Sequence, residues 1–330
     1  MARVRVGLVG AGFIAGAHAA AATGLPGVEV VAVTDRDSAA AARFAAAWGA
    51  RVVPEMADLL ASDDVDALVV CTPNDTHADL AQAAAAAGKH VLLEKPMALS
   101  AADARSVADA FAAAGRVLLV GHTHRHADYA RTVHEVIASG RLGTVRAVRI
   151  AITGGWIWGG WSAWVLDPAR SGGHAFHNGV HLYDLARWWL GSPIASVYAV
   201  GQPLTSAALA IDDYLCSTLV AESGATAVCE ISRGERPKTT SLFEIVVHGD
   251  RGTLVRSHGD EGLVAYTTGG SGPRAVPGTD PFRRQLAAFA AAVDGDAAVD
   301  PPPDLAVHAT AVAEAVERSA RTGQSVAVGR

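Results

Sequence analysis

Cysteine is scarce: the 330 residues include only Cys71, Cys216 and Cys229. The number is odd and no CxxC pair exists. This excludes a disulfide scaffold and a thiolate zinc centre, and fits a reducing compartment. Blocks of lysine and arginine are also missing. With a net charge of -6, the chain lacks the clustered basic surface of a nucleic-acid binder. No window offers about 20 uninterrupted apolar residues, so no membrane span is expected. Alanine-rich stretches such as ADLAQAAAAAGK are broken by charges and glycines. The opening MARVRVGLVGAG is too short an apolar run for a signal peptide. These absences together point to the cytoplasm. What remains is 50% hydrophobic and 18% charged, the balance of a globular chain. Its length suits two domains of roughly 100–200 residues each.

Strand and helix signals alternate at first. Val4–Val9 is a β-branched run ending in glycines, which reads as a buried parallel strand. Helix Gly12–Thr23, strand Val28–Thr34, helix Ser38–Trp48, strand Arg51–Pro54 and helix Met56–Ala61 follow. Strand Asp66–Cys71, helix Thr76–Ala87, strand His90–Leu93, helix Ala101–Ala114 and strand Arg116–Val120 complete the series. Such alternation implies βαβ units and a parallel sheet covered on both faces. After a linking helix near Tyr129–Ser139, strands follow strands: Thr144–Thr153, Ser196–Gly201, Tyr214–Ala221, Thr226–Ser232, Phe243–His248 and Leu263–Thr267. Glycine-bearing turns at 222–224 and 250–252 separate some of them, which implies an antiparallel sheet. A helix at Val180–Leu190 interrupts it. The tail from Phe282 to Ala320 reads as helical, broken by Pro301-Pro302-Pro303.

Gly10-Ala11-Gly12-Phe13-Ile14-Ala15 follows the first strand and opens the first helix. Gly10 permits the tight turn, Gly12 lets the backbone approach a pyrophosphate, and Ala15 allows close packing of helix on strand. The helix start offers N–H groups and a partial positive charge to phosphates. Asp35, at the end of the second strand, is placed to accept the ribose hydroxyls of an adenosine. A 2′-phosphate beside that carboxylate would meet a repulsion of about 4 kcal/mol per unit charge at about 4 Å and an effective dielectric of about 20. NAD is therefore expected over NADP. Arg36 keeps NADP open, because a guanidinium can clamp a 2′-phosphate or stack on adenine.

Three further stretches carry a resemblance: Cys71-Thr72-Pro73-Asn74-Asp75-Thr76-His77, Glu94-Lys95-Pro96, and Gly172-Gly173 followed by Gly179-Val180-His181-Leu182-Tyr183-Asp184. In this order the chain resembles the glucose–fructose oxidoreductase / inositol dehydrogenase / rhizopine-catabolism (Gfo/Idh/MocA) family. Gly10…His18, Val120-Gly121-His122 and Gly249-Asp250-Arg251-Gly252-Thr253-Leu254 extend the resemblance over nearly the whole chain. It implies a Rossmann domain followed by an open, largely antiparallel sheet. It also implies a nicotinamide cofactor, carbohydrate-like substrates, and sheet-to-sheet homodimers or homotetramers.

Lys95 lies just beyond a strand end, where ligands of open α/β sheets bind. Pro96 keeps it out of a helical conformation. An ammonium there can donate a hydrogen bond to a substrate oxygen and stabilise developing alkoxide charge, with Glu94 as its orienting partner. Thr72, Pro73 and Asn74 look like the family's loop along ribose and nicotinamide. Phe13, Ile14 and His77 join the expected cofactor site, although His77 can equally cap or pack its own helix. His181 matches the family's acid–base histidine, and an imidazole suits proton exchange near neutral pH. Asp184, on the same helical face, can orient it. Many family members place an aspartate four residues before this histidine; here the position is His177, which can bond a substrate hydroxyl or relay a proton but carries no fixed negative charge.

His174, His177, His181 and Asp184 share one helical stripe, a spacing that can bind zinc or manganese. The family resemblance accounts for His177 and His181 without a metal, so none is expected. The aromatic run Trp156, Trp158, Trp161 and Trp164 can face a sugar ring, or serve oligomer contact or core packing. Arg125, Tyr129 and Asn178 are further candidates for the substrate side.

The expectation is an α/β chain: a doubly wound Rossmann domain over 1–122 and an α+β domain over 123–330, whose C-terminal helix is free to pack back on the first. Its function is hydride transfer between NAD(P) and a secondary alcohol/ketone of a sugar or polyol, with Lys95 and His181 doing the proton and charge work and His177 tuning it. Two alternatives are a sugar hydrolase or epimerase that uses bound NAD transiently, and a nucleotide-binding sensor without turnover.

Overall fold

The computed structural model describes residues 3–155, 163–235, 241–257, 262–267, 270–274 and 278–329. Six short segments rich in β-branched and aliphatic residues make the first sheet: β1 (Val4–Val9), β2 (Val28–Thr34), β3 (Arg51–Val52), β4 (Ala67–Val70), β5 (His90–Leu93) and β6 (Leu118–Val120). They pair in parallel in the order β3-β2-β1-β4-β5-β6. The order reverses between β1 and β4, which is the switch point of a Rossmann sheet. Every residue of β4 is buried, as a strand covered on both faces requires. The helices α1 (Phe13–Ala22), α2 (Ser38–Trp48), α3 (Met56–Ala61), α4 (His77–Ala86) and α5 (Ala101–Ala114) connect these strands. Their alanine-rich faces fill two apolar clusters, one built on Leu68, Val91 and Phe111, the other on Leu8, Val33 and Leu92.

The chain divides into two compact units. The first holds Met1–His126 and Thr279–Val307; the second holds Ala127–Gly278 and His308–Arg330. The helix Pro281–Val293 belongs to the first, where Leu286 and Phe289 enter the cluster of β1 and α1. Arg283 secures it by donating to the carbonyls of Ala21, Thr23 and Gly24 at the end of α1.

The second unit starts with α6 (Asp128–Ala138) and β7 (Val145–Gly155). A short helix α7 (Pro168–Ser171) and a π-helical turn at Ala175–Gly179 lead into α8 (Val180–Leu190). Eight strands follow: β8 (Ile194–Gln202), β9 (Tyr214–Ala221), β10 (Thr226–Glu235), β11 (Ser241–Gly249), β12 (Gly252–Arg256), β13 (Leu263–Thr267), β14 (Gly270–Arg274) and β15 (Val326–Ala327). With β7 they form a sheet in the order β14-β13-β12-β11-β7-β10-β9-β8-β15. In this sheet only β7 and β10 run parallel among the described strands; the mostly antiparallel sheet expected from the sequence is borne out. α8 covers one face with Tyr183 and Trp189, both about fully buried. The other face carries the exposed alternate residues of β8 and β9. The remaining helices are α9, the Pro281–Val293 segment, and α10 (Pro303–Thr322).

Two expectations change. The stretch after the 250–252 turn is a strand, β12, paired with both β11 and β13. The histidine segment before Val180 is a π turn rather than α-helix.

Candidate active site

In the first unit, four loops at the C-terminal ends of β1, β2, β4 and β5 carry the nucleotide-site residues expected from the sequence. Gly10 has φ +98°, and a Cβ there would stand 2.7 Å from the carbonyl oxygen of Cys71. Any side chain would force the turn open, so glycine is required. Gly12 is the N-cap of α1, with no side-chain cap, and a Cβ on it would meet nothing within 4 Å. By contrast, Asp37 caps α2 and Ser100 caps α5. The start of α1 thus keeps donors for an outside acceptor, which fits a pyrophosphate. Phe13 is 89% exposed beside this opening, Ile14 is half-buried, and Ala15 is fully packed against the sheet.

Asp35 fixes the same turn. Its Oδ2 accepts from the Ala11 N–H at 2.8 Å, and its Oδ1 accepts from the Asp37 N–H at 2.8 Å. Each oxygen retains a lone pair, so the carboxylate can brace the turn and still accept a ribose hydroxyl. Arg36, next along the loop, is exposed.

Beyond β4, the Thr72 hydroxyl meets that of Thr76 at 2.7 Å, and Thr76 donates to the Pro73 carbonyl. Asn74 is buried. His77 is fully buried, with Nδ1 2.6 Å from the Pro96 carbonyl oxygen and Nε2 2.9 Å from that of Thr72. Each ring nitrogen faces a backbone carbonyl, and the neutral ring donates its single N–H to one or the other, so His77 packs the 72–74 loop against the 95–96 loop. This position fits the packing role that the sequence left open beside the cofactor contact. Burial lowers its pKa, against the two carbonyl contacts.

Glu94 comes immediately after β5, and Lys95 follows, half-buried. The Glu94 carboxylate meets His18 Nε2 at 2.8 Å through Oε1, and accepts the Lys95 backbone N–H at 3.3 Å through Oε2. Burial works to raise its pKa, but the His18 hydrogen bond and the nearby charges of His18, Lys95 and His77 outweigh it and hold the carboxylate below its ordinary range. Glu94 therefore stays ionised and orients the peptide of Lys95. His18 is the residue that sequence reasoning left without a role. Its signal was a polar ring on the packed side of an alanine helix, but its partner lies 76 residues away. Arg125, in the turn Thr123–His126, is buried, and Arg284 of α9 donates to the His126 carbonyl.

In the second unit, His177 and Asn178 lie buried in the π turn, and His181 lies half-buried in the first turn of α8. A π turn spaces its hydrogen bonds i→i+5. His174, His177 and His181 therefore do not follow the single α-helical stripe expected. Among the described residues no group of histidine, cysteine and acidic side chains is arranged to hold a metal. Trp164 stands edge-on to His177, ring centroids 5.2 Å apart, and Asn178 Nδ2 donates to His174 Nδ1 at 3.3 Å. Trp156, Trp158 and Trp161 lie outside the described residues. Tyr129 packs edge-on to Phe243 at 4.7 Å. Asp184 is buried. From the far end of the unit, Glu317 of α10 accepts the Ala175 N–H at 2.9 Å, at the entrance to the π turn.

No described helix is long and apolar enough to cross a membrane. A family model described as an oxidoreductase family with an NAD-binding Rossmann fold matches residues 4–122, and a GFO/IDH/MocA C-terminal domain model matches 130–255. An inositol 2-dehydrogenase from Rhizobium meliloti is 30% identical over 98% of this chain and 99% of its own. A 1,5-anhydro-D-fructose reductase from Ensifer adhaerens is 30% identical over 98% of each chain. The crystal structure of GenD2 from gentamicin A biosynthesis in complex with NAD superposes with a TM-score of 0.88, at 31% identity, over 100% of this chain and 97% of that one.

Proposed function

The chain belongs to the Gfo/Idh/MocA oxidoreductase family, and on that premise we propose that it is an NAD-dependent dehydrogenase or reductase acting on a secondary alcohol/ketone pair of a sugar, polyol or related carbohydrate. Its relatives include an inositol dehydrogenase and an anhydrofructose reductase, and GenD2 was crystallised with NAD. One observation carries the reading: the uncapped start of α1 behind the open Gly12 lies at the same edge of one sheet as Asp35 and Lys95.

When bound, NAD supplies a nicotinamide ring that exchanges a hydride with the carbinol carbon. Gly10 and Gly12 admit the pyrophosphate and Asp35 takes the ribose. The Lys95 ammonium donates a hydrogen bond to the reacting oxygen of the substrate, and so stabilises negative charge as it develops. A His181 ring nitrogen takes the hydroxyl proton in oxidation and returns it in reduction. His177 tunes that exchange, and Asn178 and Arg125 serve the substrate side. We place the protein in the cytoplasm, in keeping with three free cysteines. Its assembly is a homo-oligomer built on the exposed face of the second sheet.

The test is absorbance at the NADH band with a panel of sugars, inositols and sugar acids. Net NADH formation with at least one member is expected. Sugar turnover without net NADH would instead favour the transient-NAD hydrolase or epimerase. NAD binding without turnover of any member would favour the sensor.

A further inference from the structure

The buried contact between His18 and Glu94 joins α1 to the residue that precedes Lys95. His18 is 1% exposed and Glu94 6% exposed. The His18 ring is held on its other side by Phe282 of α9, edge-on at 5.1 Å. The Glu94 carboxylate is confined from a third direction. A Cβ built on Gly121, just past β6, would stand 3.1 Å from its Cδ and from both its oxygens. The carboxylate thus sits between an imidazole, a bare backbone and the peptide N–H of Lys95.

An ionised carboxylate removed from water must be paired. Here His18 takes Oε1, leaving Oε2 for the Lys95 peptide. Without the imidazole, the carboxylate would turn to the other positive group that acts on it, Lys95. That turn shifts the residue proposed to hold the substrate oxygen.

We propose that His18 is a positioning residue for Lys95: it anchors the Glu94 carboxylate in the core and thereby fixes the peptide from which the lysine projects. The proposal rests on the role given to Lys95 above, and its test separates the two.

The variants are His18→Leu, which removes the donor; His18→Gln, which restores an N–H donor; and Gly121→Ala, whose added Cβ presses on the carboxylate. In His18→Leu, kcat is expected to fall at least about tenfold, with NADH affinity by protein fluorescence held within about threefold, because the lost interaction acts on the transition state and not on cofactor binding. His18→Gln recovers most of the loss, and Gly121→Ala reproduces part of it. A second readout needs no turnover. The chain has three lysines, Lys89, Lys95 and Lys238, so acylation by acetic anhydride can be followed at each by mass spectrometry. Lys89, held by the carbonyls of Ser62 and Val65, is the reference. The Lys95-to-Lys89 rate ratio is expected to change at least about threefold in His18→Leu and to return towards wild type in His18→Gln, since amine reactivity follows its local environment.

If wild type oxidises no polyol, the functional reading fails, and the labelling ratio still decides the role of His18. An unchanged ratio in His18→Leu and Gly121→Ala overturns the proposal. So does a loss of turnover in His18→Leu matched by an equal loss of NADH affinity. If His18→Leu does not fold, His18→Gln and Gly121→Ala carry the test, and wild-type labelling in both overturns it.

Discussion

At the scale of single residues, two side chains of the first unit do separable work. Lys95 follows the strand end and, in the proposed function, serves the reacting oxygen, so Lys95→Ala should lower kcat by at least about 100-fold, the scale of losing a charge-stabilising donor. NAD affinity by calorimetry should be nearly unchanged; near-wild-type turnover would remove Lys95 from the mechanism. Asp35 braces the turn through the Ala11 N–H and is the residue proposed to take the ribose. Asp35→Ala should weaken NAD binding about tenfold or more, the worth of hydrogen bonds to a charged group, and narrow the preference over NADP. A wild type that prefers NADP in the same titration would refute this assignment. Both residues could be singled out in the sequence because their signals are local: a glycine turn, an acid at the next strand end, a lysine before proline. The fixing of Glu94 by His18 was not, because it exists only once α1 is laid against the sheet. For His77 the sequence left a cofactor contact and a packing role open, and only the fold brings its ring nitrogens to the carbonyls of Pro96 and Thr72.

At the scale of elements, the approach to α8 depends on α10. Glu317 accepts the Ala175 N–H, and Gly173, with φ +86°, leaves room where a Cβ would stand 2.5 Å from Glu317 Oε1. Burial, with Asp212 adding to it and the Ala175 bond and Arg321 opposing, raises the Glu317 pKa to about 7. Its folded pKa lies above the unfolded value, so its contribution to stability is fully present below about pH 4.5 and is lost as pH rises through about 7. His308, whose Nε2 accepts the Ile194 N–H, runs the other way. Burial and then Arg187 lower its pKa to about 4. Its contribution is present above about pH 6.5 and lost as pH falls through about 4. Between about pH 4.5 and 6.5 the two slopes oppose each other. Urea unfolding of Glu317→Gln should therefore show stability rising with pH more steeply than wild type across that window, by an amount on the order of 1 kcal/mol per pH unit. Parallel curves for the two proteins would show that Glu317 does not titrate as its burial implies. None of this was legible from sequence. The π turn differs from an α-helix by a single inserted residue, and α10 is far along the chain from Ala175. The strand β12 was hidden in a similar way, because Gly249-Asp250-Arg251-Gly252 announces a turn but not the five-residue strand that follows it.

At the scale of the whole molecule, the parallel pairing of the first sheet and the predominance of antiparallel pairs in the second follow from patterns that were readable: apolar runs between helices, then strands divided by turns. What periodicity alone cannot assign is the covering of an open sheet face. On β8 and β9 the alternation places Tyr198, Val200 and Val220 on one side, 46%, 45% and 37% exposed. The register sets Val220 opposite Ser196 and Thr218 opposite Tyr198, so these side chains form one patch, not scattered points. A stable protein–protein interface buries about 1,200–2,000 Å², and a broad, mostly antiparallel sheet offers a face on which a second copy can supply it. If the homo-oligomer is built there, Tyr198→Glu with Val200→Glu should shift sedimentation from oligomer to monomer. Exposed substitutions away from an interface usually change stability by no more than about 0.5 kcal/mol, so the thermal transition of the separated subunit measures what the interface contributed. An unchanged sedimentation coefficient would mean that this face is not where the copies meet, and the apolar residues on β8 and β9 would then need another partner.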